Sequence, residues 1–166
     1  MTRKCAECGS PMTVKAENHR YGESGLDNVT LIGVPVWRCS HCGEWEVEIR
    51  NVEGLHRLLA YLLARKAARL TPQEIRFLRT YLGLSSADFA RRMGVAKQTV
   101  SRWERVDEPL AMKTGTERFL RLMSLHEQPA QTYELADLDG TATTEPRAAH
   151  VRAVVRNHGE WREQRA

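Results

Sequence analysis

The sequence predicts a two-domain α+β fold, in which a small antiparallel β domain precedes an all-α domain. Paired cysteines and alternating apolar residues mark the first fifty residues as the β domain. Apolar residues at helical spacing, together with helix-capping signals, mark the following stretch as helical. Beyond residue 126 the chain is rich in Pro, Thr, Ala and acidic residues, which is typical of a linker or a partly disordered tail. The predicted segments are a β domain at 1–50, a connector helix at 51–70, a helical domain at 71–126 and a tail at 127–166.

Charge is unevenly distributed along the 166 residues. The net charge is +4, and residues 71–126 hold ten Lys and Arg against six Asp and Glu. This excess indicates a polyanionic partner for the helical domain, although a solvated basic face would look the same. The chain has no run of eighteen apolar residues and no secretory signal. The sequence therefore predicts a cytoplasmic protein that does not span a membrane.

Four cysteines occur as two C-x-x-C pairs, Cys5 with Cys8 and Cys39 with Cys42. Disulfides are rare in a reducing cytosol, whereas four thiolates at this spacing are typical of a tetrahedral Zn²⁺ site. A redox-active C-x-x-C is expected in a βαβ context, which this region lacks. Because sulfur fills all four positions, we expect one structural zinc per chain. His19 and His41 are expected on the surface or in packing contacts.

Three strands are predicted around these cysteines, at 12–15, 28–39 and 45–50. In the last strand Trp45 alternates with polar residues and, like Trp37, is expected in the core. Residues 21–29 are expected to form a loop. Metal binding would explain how this short domain folds with few apolar side chains.

Residues 52–68 are predicted to form an amphipathic connector helix with a basic C-terminal end. Its apolar stripe consists of Leu55, Leu58, Leu59, Leu62 and Leu63. Tyr61 suits either the core or a contact surface, and His56 is expected to face solvent.

Clear start and stop signals divide the next stretch into short helices. Thr71-Pro72-Gln73-Glu74 is a capping box with Pro at the first helical position, so a helix is expected to about Leu82. Ser85-Ser86-Ala87-Asp88 offers a second helix start, Gly94 ends that helix, and another helix follows directly. A small residue at Ala90 and a tight turn at Gly94 predict a helix-turn-helix, with a plain α-hairpin as the alternative. A final helix is expected at about 115–125.

The helix after Gly94 is predicted to read DNA bases. If Val100 and Trp103 point into the core, the opposite face carries side chains suited to base edges, since Arg and Lys recognise guanine and Gln recognises adenine. Ala96 lacks the side-chain oxygen common at a helix start, at a cost of about 1 kcal/mol. The expected base-reading residues are Lys97, Gln98, Ser101 and Arg102. The expected phosphate contacts are Ser86, Arg91, Arg92 and Arg105.

Residues 1–126 resemble the MqsA antitoxin family, whose members join a YgiT-type zinc finger to a helix-turn-helix. The resemblance rests on CAEC, on ESGLDNVTLIGVPVWRCSHCGE and on LTPQEIRFLRTYLGLSSADFARRMGVAKQTVSRWE. The second half is also similar to XRE-type regulators of the lambda-repressor type. The resemblance implies a structural zinc on the four cysteines, a homodimer formed through the C-terminal domain, and a palindromic double-stranded DNA operator. Gln98 stands where the family has a base-reading Asn, and Arg102 matches the family's base-reading Arg.

The sequence therefore favours a sequence-specific DNA-binding repressor that regulates its own promoter as an MqsA-like antitoxin. One alternative is a stand-alone zinc and helix-turn-helix regulator without a toxin partner. Another is a protein-interaction module whose N-terminal domain neutralises an mRNA-cleaving ribonuclease toxin. An enzyme ranks lowest, because the thiolates saturate the zinc and no catalytic arrangement has convincing local context. Residues 150–166 are expected to form a short terminal helix, to which no function is assigned.

Overall fold

The structure is a computed structural model that describes residues 3–126, 148, 150–156 and 159–164. Contacts group these residues into two compact units. The first unit holds the described residues of 3–21, 27–55 and 150–164, and the second holds those of 22–26, 56–126 and 148. The predicted two-domain α+β class is confirmed. The predicted segment boundaries at 50, 70 and 126 stay predictions.

The first unit is built on one six-stranded sheet. Its strands are β1 (Arg3–Lys4), β2 (Pro11–Arg20), β3 (Val29–Cys39), β4 (Trp45–Val47), β5 (Val151–Val155) and β6 (Trp161–Glu163). The strand order is β1-β2-β3-β5-β6, and β4 pairs with β3 beside that path. All pairs are antiparallel except β3 with β5, which is parallel. The central strand β3 therefore connects the N-terminal hairpin to the C-terminal end of the chain.

The C-terminal strands correct one expectation, because the short helix predicted over 150–166 is wrong. β5 runs beside β3 with Val151 opposite Val29, and β6 folds back onto β5. Val151, Ala153 and Trp161 are at most 6% exposed, so this hairpin contributes to the core of the unit. The Trp161 indole nitrogen donates to the backbone oxygen of Arg50 at 2.9 Å. Residues 127–147 of the predicted tail lie outside the described residues.

The environment of Trp45 also differs from the prediction. Trp45 is 48% exposed and lies against the ring of His19, with ring centroids 5.9 Å apart. The strand β4 is short and pairs only with the end of β3, so nothing in the sheet covers this side chain fully. Trp37 is half-buried and packs against the cysteine cluster, closer to expectation. The predicted loop at 21–29 contains a short 3-10 helix at Gly22–Ser24, with Leu26 1% exposed.

The described residues that follow the N-terminal strands form five α-helices. They are α1 (Val52–Arg65), α2 (Pro72–Tyr81), α3 (Ser86–Met93), α4 (Lys97–Trp103) and α5 (Thr114–His126). The capping box at the start of α2 forms as predicted, with the Thr71 side chain accepting from the Glu74 amide and the Glu74 side chain accepting from the Thr71 amide. None of the described helices is long and apolar enough to cross a membrane.

A buried arginine ends α1 three residues earlier than predicted. Arg121 on α5 is fully buried and donates to the backbone oxygens of Lys66 and Ala68, both at 2.7 Å, as well as to Ala64 near the helix end. Glu117 balances its charge at 2.8 Å. The cation thus satisfies carbonyl groups that a helix C-terminus leaves without partners.

His56 is half-buried rather than solvent-facing. Its ring meets the ring of Phe77 edge-on, with centroids 5.7 Å apart. Burial lowers the pKa of His56 below its ordinary value, since desolvation disfavours the imidazolium form.

Candidate functional site

The turn between α3 and α4 has the geometry of a helix-turn-helix. Gly94 has a φ of +65°, a conformation that L side chains rarely adopt, and its amide caps the end of α3. Ala90 is 4% exposed, and its small side chain suits a position where two short helices cross closely. The amide of Val95 donates to the Ala90 oxygen at 2.9 Å, which closes the turn.

The helix α4 is fixed by its inner face. Val100 is fully buried and Trp103 is 4% exposed, with the Trp103 ring meeting Phe89 of α3 edge-on at 6.2 Å between centroids. This orientation leaves the residues predicted to read bases on the outer side. Lys97, Gln98, Ser101 and Arg102 are all exposed. Ala96 starts the helix without a side-chain capping bond, as the sequence predicts.

The polar side chains on the outer face of α4 make no polar contacts with other side chains in the described part of the chain. None of Lys97, Gln98, Ser101 and Arg102 has a side-chain hydrogen bond or ion pair to another described residue. Two cations and one amide therefore present all their donors to solvent on one short helix. Such a surface suits the edges of bases and the phosphates of a duplex.

The residues predicted to contact phosphates differ in their surroundings. Arg92 and Arg105 are exposed, and their side chains form no hydrogen bond or ion pair with another described residue. Arg91 is exposed but forms an ion pair with Asp88, one turn earlier on α3. The Ser85 hydroxyl and then the Arg91 charge hold the pKa of Asp88 below its ordinary value. Ser86 is half-buried at the start of α3.

A buried ion pair beneath α4 was not anticipated from the sequence. Arg79 of α2 donates to both carboxylate oxygens of Glu104, at 2.6 and 3.0 Å, and to the backbone oxygen of Leu84 at 2.7 Å. Glu104 directly follows α4 and is 5% exposed. Arg79 lies four residues after the buried Ile75, and Glu104 four residues after Val100, so the helical period places both charges on inner faces. The four-residue spacing from a buried apolar residue is therefore the feature of the sequence that could have predicted this ion pair.

The cysteines of the first unit converge from two turns of the same form. In each turn the backbone oxygen of the first cysteine accepts a hydrogen bond from the amide four residues later. Gly9 donates to the Cys5 oxygen at 2.9 Å, and Gly43 donates to the Cys39 oxygen at 3.1 Å. Both glycines have positive φ, +71° and +77°, which their lack of a Cβ permits. Cys5 and Cys39 are buried, and Cys8 and Cys42 are exposed.

The distances between sulfur atoms fit a metal-binding site. All four Sγ atoms lie within 4.8 Å of one another, and the Cys5–Cys42 and Cys8–Cys39 pairs are 3.5 Å apart. A tetrahedral ion with Zn–S bonds of about 2.3 Å needs sulfur atoms separated by about 3.8 Å. A disulfide needs about 2.05 Å, so neither pair is bonded. Among the described residues this is the group of side chains that fits a metal ion, and no histidine belongs to it.

The ionisation of the thiols also favours a metal-binding site. Hydrogen bonds from Ser10 lower the pKa of Cys8 to about 6. The pKa of Cys42 is raised to about 12, because the neighbouring thiols and desolvation outweigh the lowering by the Glu44 amide. Four sulfurs at this separation cannot all ionise without a cation to balance them, and a divalent metal supplies that charge.

Comparison with known proteins finds a family match within the helical segment. Residues 75–105 match the Helix-turn-helix family, an XRE-type group of DNA-binding regulators, from Ile75 in α2 to Arg105 after α4. No curated protein matches the chain, and no solved structure matches it. The match supports a DNA-binding regulator of XRE type.

Proposed function

We propose that the chain is a sequence-specific repressor that binds double-stranded DNA and regulates its own promoter. The observation that carries the proposal is the outer face of α4, where Lys97, Gln98, Ser101 and Arg102 are exposed without partners among the described residues. A helix of this width fits the major groove. The inner side of α4 is fixed by the buried residues Val100, Trp103 and Glu104. The backbone that carries the four exposed side chains is therefore held in one position.

Each side chain has a definite role in this proposal. Arg102 and Lys97 donate to guanine O6 and N7, and Gln98 makes a two-bond contact with adenine. Arg92 and Arg105 bind phosphates and set the salt dependence, while Ser86 offers a hydroxyl at the start of α3. Arg91 contributes less, because Asp88 already balances part of its charge.

The four cysteines hold a structural zinc in the same proposal. Cys5, Cys8, Cys39 and Cys42 supply four thiolates, which leaves no position for water or substrate. The ion would tie together two turns that are far apart in the sequence. Its role is therefore to stabilise the first unit.

A repressor with a palindromic operator requires two copies of the chain, and the resemblance to the MqsA family implies a homodimer through the C-terminal domain. The test is selection of duplexes from a random pool by the zinc-loaded full chain. We expect enrichment of a sequence with two inverted half-sites that also occurs upstream of the coding sequence. Enrichment of no sequence, with binding equal for all duplexes, would refute the repressor proposal.

A second candidate, neutralisation of a ribonuclease toxin, concerns the first unit. Val14 and Trp45 are each 48% exposed there, and among the described strands β2 pairs on its outer edge with β1 only, at Pro11 and Met12. An open edge and exposed apolar side chains suit binding of another protein. Co-expression with the product of the adjacent reading frame tests this proposal. Co-purification that weakens with Trp45→Ala would support it, and independent migration of the two proteins would refute it.

A further inference from the structure

One edge of the central strand β3 is shared by two strands of the first unit. β2 occupies one edge, so β4 and β5 both pair with the other. β5 runs parallel to β3 and pairs with it as far as Ile32, whereas β4 runs antiparallel and pairs with it as far as Val36. The C-terminal ends of β4 and β5 therefore approach each other along β3. Both strands leave the sheet beside residues 33–35, which opens a gap there.

A β-bulge in β3 lies at this gap. Ile32 and Gly33 both lie opposite the single residue Asn18 of β2, as the register shift between the two strands shows. Gly33 has a φ of +67°, and its amide donates to the Asn18 side-chain oxygen at 3.2 Å. Bulges bend a strand and are frequent next to functional sites. The bend adds to the opening between the two strand ends.

The gap forms a cavity of about 790 Å³. Cavities that bind small molecules have volumes of about 300–1,000 Å³. Its described walls are β3 at Gly33 and Pro35, the chain that follows β4, and the chain that follows β5. All of these segments belong to the first unit. The cavity is therefore a feature of that unit alone.

Two polar side chains of the wall already have partners on both sides. The Asn51 side chain accepts from a backbone amide of α1 and donates to the Gly159 oxygen, both at 2.9 Å. The Glu48 carboxylate accepts from Arg50 Nε at 2.7 Å and from the Trp37 indole nitrogen at 3.2 Å. The described side-chain acceptors of the wall are thus engaged within the protein.

Two guanidinium groups of the wall have donors without such partners. The Arg156 side chain is exposed and forms no hydrogen bond or ion pair with another described residue. Arg50 uses Nε for Glu48, and its two terminal nitrogens form no hydrogen bond within the described part of the chain. Two cations against one carboxylate leave one excess positive charge among the described wall residues.

We propose that this cavity binds a small organic anion, whose phosphate or carboxylate group is held by Arg50 and Arg156. A guanidinium can donate two parallel hydrogen bonds to either kind of oxyanion. A cation would be repelled, and a neutral apolar molecule would leave both guanidinium groups without a counter-charge. The cavity is much larger than a phosphate or carboxylate group, so the organic part of the ligand lies beside Gly33 and Pro35. This site is separate from the DNA-binding face proposed for α4.

Calorimetric titration of the full zinc-loaded chain tests the site with three probes that share a six-carbon body. Glucose 6-phosphate carries a phosphate, gluconate carries a carboxylate, and glucose carries no charge. We expect at least one of the two anions to bind once per chain, with an affinity that falls as salt is added, and glucose not to bind. Binding of one anion alone would identify the oxyanion that the site selects.

Substitutions of Arg156 locate the binding. Arg156→Gln should weaken the bound anion about tenfold or more, since hydrogen bonds to a charged group are lost. Arg156→Lys keeps the charge but not the paired donors, and its affinity should fall between those of the wild type and Arg156→Gln. Lys15→Gln removes an exposed cation of the same unit outside the cavity wall and should bind as the wild type does. In nuclear magnetic resonance spectra, the anion should shift the amide signals of Gly33 and Gly159.

Three results would overturn the inference. Neither anion could bind at millimolar concentration, or Arg156→Gln could bind the anion as tightly as the wild type does. Arg156→Gln could also lose affinity for random duplex DNA while no anion binds the wild type, which would assign these guanidinium groups to nucleic acid. Titration of the same samples with duplex DNA keeps this site distinct from the proposed repressor function. A chain that binds the anion but no DNA would refute the repressor and leave the anion site standing.

Discussion

The replacement Glu104→Gln tests whether a buried ion pair anchors the end of α4. Glu104 is 5% exposed and Arg79 is 9% exposed, and two guanidinium nitrogens contact the two carboxylate oxygens at 2.6 and 3.0 Å. Glutamine keeps the shape of the side chain but leaves the Arg79 cation without its counter-charge. Breaking one partner of a buried pair costs about 3–5 kcal/mol. That is a large part of the free energy of unfolding of a small domain, which is about 5–15 kcal/mol.

Urea unfolding of the full chain, followed by the helical circular dichroism signal, measures this cost. We expect the transition of the helical unit to move to lower urea by the amount that corresponds to about 3–5 kcal/mol. The double variant Arg79→Met, Glu104→Leu removes both charges and should be more stable than Glu104→Gln, since no buried charge is left alone. A loss below about 1 kcal/mol for Glu104→Gln, the value typical of an exposed pair, would show that the buried pair does not anchor α4.

Three further predictions concern the metal centre, the phosphate contacts and the start of α4. Cys39→Ser should reduce bound zinc from one per chain to none and unfold the first unit, as measured by metal analysis and tryptophan fluorescence; full zinc content would contradict the four-cysteine site. Arg92→Gln should weaken binding to specific and random duplexes alike and reduce the slope of log K against log salt by about 0.9, and an unchanged slope would remove Arg92 from the phosphate contacts. Ala96→Ser should raise the free energy of unfolding by about 0.5–2 kcal/mol in the same urea experiment, because the residue before α4 has extended backbone and no capping bond. A less stable serine variant would contradict that geometry.

The features predicted correctly from the sequence are those with local signals. The capping box at Thr71 and the turn at Gly94 are each specified within a few neighbouring residues. The two C-x-x-C turns are likewise local, and four sulfur atoms at metal-binding distance are what their spacing predicts. Helical periodicity then gives the inner face of α4, from Val100 and Trp103, and so the outer face as well.

The features that were missed depend on contacts between distant parts of the chain. The parallel pairing of β5 with β3 joins residues more than a hundred positions apart, and a short apolar segment such as VRAVV is compatible with either helix or strand. Trp45 alternates with polar residues as a buried strand residue would, but β4 is too short to be covered. Arg121 looks like an ordinary charged residue of an exposed helix face, and its burial depends on the end of α1.

The most direct test of the account is an equilibrium titration of a selected duplex with the wild type and with Gln98→Ala combined with Arg102→Ala. Arg162→Ala serves as the control, since it removes an exposed cation from the first unit. We expect the wild type and the control to prefer the selected duplex over random DNA. The double variant should bind both duplexes equally and weakly, because its phosphate contacts remain while its base contacts are lost. A double variant that keeps the full preference would contradict the assignment of α4 as the helix that reads the bases.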